Sequence, residues 1–143
     1  MTARRAAERR GQGWLLAALL VGVAYALTGA LFALPATNAH AWRIAAWIVS
    51  GAVYALHVVY EHFRLHSSSR LTAIHVAVAV AIGAVGLVTA GMLHDLRTAA
   101  AIRPSWLFAL VVLPPGTAVP AFLGGLIASA TLRRLRSRDQ ALR

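Results

Sequence analysis

The stretch LTAIHVAVAVAIGAVGLVTAGML, Leu71–Leu93, carries no formally charged side chain. A helix rises about 1.5 Å per residue, so a run of this length crosses the ~30 Å hydrocarbon core of a bilayer. Three further segments read the same way. Trp14–Leu34 is closed by Pro35. Ile44–Tyr60 has Trp42, Trp47 and Tyr60 near its ends, where amphipathic rings favour the headgroup level. Trp106–Leu132 is interrupted by Pro114-Pro115-Gly116 and by Pro120. Apolar residues make up 59% of the chain, above the usual share of about 45–50%, and the mean hydropathy is +0.69. A water-soluble fold of 143 residues would struggle to hide so much apolar surface.

These segments predict an all-α integral membrane four-helix bundle, up-down-up-down, as one domain over residues 1–143. The helices are expected near 14–34, 44–63, 71–93 and 106–132. The short links make successive helices antiparallel neighbours. The fourth helix is expected to be kinked or broken at Pro114-Pro115-Gly116, because each proline removes a backbone donor and crowds the preceding turn. In the broken form, Thr117 caps a half-helix whose free N–H groups face the membrane interior.

All 14 basic residues are arginine, and the net charge is +10. Eleven arginines fall on one side of the predicted topology: Arg4, Arg5, Arg9 and Arg10, then Arg64 and Arg70, then Arg133, Arg134, Arg136, Arg138 and Arg143. Arg43, Arg97 and Arg103 fall on the other. The positive-inside rule then puts both termini in the cytoplasm of a bacterial-type inner membrane. Basic tails around an oily middle suit anionic headgroups, and no nucleic-acid partner is expected. The expected partners are the bilayer and a homo-oligomer or larger membrane complex. Arg4-Arg5, an apolar run and Ala39-His40-Ala41 imitate a cleavable signal, but the run exceeds the usual ~7–15 residues and reads as a retained helix.

Polar side chains within the apolar segments mark where a function would reside. Ser50, Tyr54, His57 and Glu61 are spaced 4, 3 and 4 and share one face of the second helix, a line that Trp47 and Arg64 extend. Glu61, one turn from His57, is placed to orient its imidazole. A competing reading leaves Glu61 at the interface, paired with Arg64 or Arg70. On the third helix, His75, Ala79, Gly83, Gly86 and Ala90 form a small-residue face that complements this stripe and lets another helix approach closely. His57, Glu61 and His75 are thereby expected to converge near the inner leaflet. His62 and His66 are expected to be solvated at the loop. Tyr25 and Thr28, with Gly22 and Gly29, mark the first helix, and Ala121, Gly125 and Ser129 make a packing ridge on the fourth.

The absence of cysteine removes thiolate chemistry. Ser50 and His57 lie about 10 Å apart along a helix axis, and no hydrolase or metalloprotease signature appears, so no catalytic residue is assigned and the reading leans away from an enzyme. The candidate ligand-binding set is Ser50, Tyr54, His57, Glu61, His75 and Thr117. No cofactor is predicted. Haem b on His57 and His75, or a metal ion on His57, Glu61 and His75, ranks as a weaker alternative. Function is expected to be the binding of a partner protein, lipid or small ligand within the bundle. The runner-up is a small oligomeric transporter or channel-like protein using the second-helix stripe, and haem-based electron transfer comes third.

Overall fold

A computed structural model describes residues 2–33, 38–63, 68–99 and 103–141. These form four helices: α1 (Thr2–Ala33), α2 (Ala39–Phe63), α3 (Ser69–Ala99) and α4 (Pro104–Ala141). Local chemistry explains the starts. Asn38 adopts φ 61° just before α2, a left-handed conformation that asparagine tolerates, and its carbonyl accepts the Trp42 N–H at 3.3 Å. Before α3, the Ser68 hydroxyl accepts the Leu71 N–H at 3.3 Å and its carbonyl accepts the Thr72 N–H at 2.9 Å, the arrangement of an N-cap. α4 opens on Pro104, where a missing N–H leaves no bond unmade.

All four helices are long and apolar enough to cross a membrane, over Gly13–Leu31, His40–Phe63, Ser69–Thr98 and Pro104–Leu135. The second has the lowest mean hydropathy, 1.4, as befits the helix that carries the polar stripe. Burial is distributed for lipid rather than for water. The buried apolar side chains are small: Ala18, Ala73, Ala79 and Ala84 with Val58, Val76 and Val88. Leucine, isoleucine, phenylalanine and tryptophan side chains cover the outside, while Glu61, Thr72 and Ser129 are among the largest fully buried side chains. In hydrocarbon there is no gain in hiding a leucine from an equally apolar solvent, so small residues take the helix contacts and polar groups turn inward. This is a membrane protein.

α3 is the central helix. It packs most extensively against α4 and α1, with α2 lying against α1 and more lightly against α3 and α4; among the described residues the backbones of α1 and α4 do not approach closely. Ala79, Gly83 and Gly86 of the small-residue face of α3 therefore meet α1, while His75 at its start meets Glu61 of the α2 stripe. A Cβ on Gly83 would stand 2.5 Å from the Tyr25 Cβ, and one on Gly86 would stand 2.7 Å from the Ala26 Cβ. Gly22 lies as close to Ile82 and Gly29 to Leu87. Residue numbers rise together along this contact, so α1 and α3 run parallel. Along α3 and α4 they run oppositely, with Gly91 against Trp106 at one end and Ala73 against Gly125 at the other.

All four helices exceed their expected limits, α1 and α4 by the most. α1 begins at Thr2 and α4 continues to Ala141, because Arg-rich flanks favour helix although they are too polar to lie in lipid. α4 is also unbroken: Pro114, Pro115 and Pro120 all lie inside one helix. Thr117 thus caps no half-helix. Its hydroxyl donates back to the carbonyls of Leu113 at 2.9 Å and Pro114 at 3.2 Å, as Thr28, Thr89, Thr98 and Thr131 do on their own helices. A hydroxyl that bonds its own helix needs no partner in lipid.

Candidate functional site

Glu61 sits in the last turn of α2 and is fully buried, at 0% exposure. Its carboxylate joins two helices. Oε2 lies 3.0 Å from Nδ1 of His75 on α3, and Oε1 lies 3.7 Å from Nε2 of His57, one turn back on α2. The shorter contact is a hydrogen bond, with the imidazole N–H donating to the carboxylate, which fixes the tautomer of His75 and leaves Nε2 as its free acceptor. The longer contact is ion-pair reach, beyond hydrogen-bond length. His57, Glu61 and His75 thus converge as their spacing suggested, and Glu61 lies inside the bundle rather than at a solvated interface, while Arg70 stands exposed. The side chain of Arg64 falls outside the described residues.

Further buried polar groups lie on the same turns of α2 and α3. Thr72 is fully buried, and Ser69 and His62 are nearly so. The hydroxyls of Ser69 and Thr72, Nε2 of His62 and both ring nitrogens of His57 are buried without a hydrogen-bond partner among the described residues. His62 is therefore not solvated at the loop; it packs edge-on to Phe63, ring centroids 5.0 Å apart, and His66 falls outside the described residues. Trp14 of α1 closes the cluster, its ring parallel to that of His75 within 4° and 4.3 Å away. Sequence reasoning passed over Ser69, Thr72 and Trp14. The signal for the first two was available, because Ser69, Thr72 and His75 recur every three residues on one face of α3. Trp14 carried none, since its place depends on how α1 packs on α3.

The remaining candidates lie apart. Tyr54 turns to α4 and donates to the Ala121 carbonyl at 2.7 Å, made accessible by Gly124, where a Cβ would stand 2.8 Å from the phenol oxygen. Ser50 is half-buried on the same face and makes no hydrogen bond to the cluster. Trp47 is 80% exposed, so it does not continue the stripe inward. Thr117 belongs to the hydrogen bonding of α4. Among the described residues no three His, Asp or Glu side chains form a metal-ligand group; the two Glu61 oxygens each address a different imidazole instead of sharing a point with them.

At the opposite end of the bundle a second polar group ties α3 to α4. Arg103 grips Asp95 with both Nε, at 2.6 Å, and Nη2, at 2.9 Å. The Trp106 indole N–H donates to the same carboxylate at 2.6 Å, and the Trp106 ring lies over Gly91. This forked, charge-assisted arrangement is a structural clip. Asp95→Ala should lower the thermal unfolding temperature of the detergent-solubilised protein, because it leaves the indole N–H without its acceptor; an unchanged unfolding curve would show the clip to be idle. Comparison of the chain with protein-family models, with curated proteins and with solved structures gave no match, so the reading of its function rests on the geometry of the Glu61 cluster.

Proposed function

We propose that this protein is a small proton-handling membrane protein, a homo-oligomeric transporter or channel-like protein in which Glu61, His57 and His75 bind and release a proton. The observation that carries this reading is a fully buried carboxylate set between imidazoles of two helices. A titratable carboxylate inside a membrane bundle is expensive and is kept where it moves charge. Imidazoles and hydroxyls can each accept a proton on one side and donate it on another. Closure of the site favours the proton over a larger ligand: a small molecule would need the bundle to open, whereas a proton needs only hydrogen-bonding steps between neighbouring atoms. One protomer is too small to enclose a wide pathway, which is why the proposal includes an oligomer.

The second reading is binding of a small ligand, lipid or partner protein within the bundle. The unpartnered Ser69, Thr72 and His62 groups favour it, because buried polar atoms ordinarily find a partner. In either case the eleven-to-three distribution of arginine supports an inner-membrane location with both termini in the cytoplasm. The test is reconstitution in sealed vesicles with an interior pH dye. An imposed pH gradient should collapse faster than in protein-free vesicles. Equal rates, with the protein shown to be folded and inserted, would end the transport reading and leave ligand binding. A visible absorption spectrum of the same sample separates the haem alternative, which requires a Soret band.

A further inference from the structure

We propose that Trp14 is a positioning residue for the proton-loaded state: its indole holds the imidazolium form of His75. This rests on the reading of the Glu61 cluster as the proton site and identifies the imidazole that takes the proton. Of the three titratable side chains in the core of the cluster, Glu61 and His57 are 0% and 1% exposed, whereas His75 keeps 10% of its side chain open. Its Nδ1 is engaged by Glu61, so an incoming proton binds the Nε2 lone pair. No bond breaks, the ring gains one positive charge, and the product is an imidazolium paired with a carboxylate.

Trp14 lies where that charge appears. The indole is parallel to the imidazole within 4°, with centroids 4.3 Å apart. For a neutral imidazole this is ordinary stacking. For an imidazolium the negative face of the indole adds electrostatic attraction, and tryptophan is the best aromatic partner for a cation. The attraction strengthens where water is scarce. The contact therefore favours the loaded form over the empty one, beyond merely filling space. Other groups at this level come from each neighbouring element. α2 brings Glu61, His57 and His62, and α3 brings Thr72 and the exposed Arg70. On α1, Arg10 lies one helical turn before Trp14 in sequence. On α4, Ser129 is buried and Arg133 follows one turn later.

The experiment is a pH titration of the full-length protein in lipid nanodiscs, read by ¹⁵N resonances of the histidine rings. His75→Gln assigns the His75 signal. Trp14→Leu should lower the proton affinity of His75 about tenfold, a downward shift of about one pH unit. Trp14→Phe, which keeps a ring, should fall between this variant and the wild type. Acid should also quench the part of the tryptophan emission that Trp14→Phe removes, and His75→Gln should abolish that quenching. A purely space-filling Trp14 would lower stability yet leave the titration midpoint unmoved. An unchanged midpoint in both Trp14→Leu and Trp14→Phe overturns the proposal. If the midpoint shifts but reconstituted vesicles show no proton movement, the assignment of Trp14 stands and the transport reading fails.

Discussion

Gly83→Leu is expected to abolish the folded bundle, and Gly83→Ala alone to destabilise it by about 1–3 kcal/mol, the usual penalty for overpacking. The reason is local. A Cβ at position 83 would stand 2.5 Å from the Tyr25 Cβ and 3.2 Å from the Gly22 carbonyl oxygen. The second obstacle is backbone, which cannot swing aside as a flexible side chain can. Within lipid, close packing is a principal source of helix association, so losing this approach removes much of what holds α1 to α3. Gly51→Ala and Gly116→Ala supply the control. Neither site has an atom within 4 Å of the added Cβ, and alanine is the better helix former by about 0.5–1 kcal/mol. Chemical unfolding of the three alanine variants in one detergent should order them as Gly83→Ala well below wild type, with the other two at or above it. A Gly83→Ala curve that overlays the wild type would mean that the helices are less closely apposed than described.

Glu61→Gln should reduce proton movement about a hundredfold, at the lower end of what a positioned acid–base group contributes to proton transfer. The substitution keeps the shape and a carbonyl oxygen for the His75 N–H, so the protein should remain folded and its thermal unfolding should change little. What disappears is the charge that stabilises an imidazolium on either neighbour. His57→Gln should cost less than Glu61→Gln, since its 3.7 Å approach to Glu61 is the looser of the two contacts. Flux in vesicles, normalised to inserted protein, measures each. Wild-type flux in folded Glu61→Gln would place the pathway elsewhere and return the cluster to a structural role.

Much of this architecture was legible in the order of residues. Charge-free runs long enough to span a bilayer located four helices, and α2 announced its buried face because Ser50, Tyr54, His57 and Glu61 recur at helical spacing. Depth also worked: short links between antiparallel helices bring the end of α2 level with the start of α3, which is why Glu61 and His75 meet. Spacing says which residues share a face, yet not which neighbour that face meets. The glycine face of α3 therefore looked like a partner for α2, when α1, two helices back in sequence, takes it. That choice depends on matching Gly83 to Tyr25 and Gly86 to Ala26 across two chains of side chains.

The same limit explains Trp14 and the clip. Trp14 and Trp106 stood only as the first residues of apolar runs and Arg103 only in the charge count; these three and Asp95 acquired their roles only from contacts between elements. The prolines of α4 left two forms open, kinked or broken, and the structure rules out the broken one. Pro114, Pro115 and Pro120 should each weaken a helix, yet α4 runs through them from Pro104 to Ala141. With no water in the bilayer core to satisfy freed carbonyls, an unwound segment costs more than a helix with a few donors missing. By itself the sequence determined the apolar surroundings, the number of helices able to cross a membrane and the polar face of α2, because these follow from hydrophobicity and helical period. The pairing of helices, the continuity of α4 and the ring that rests on His75 were decided only by the tertiary structure, because they depend on close packing between residues far apart in the chain.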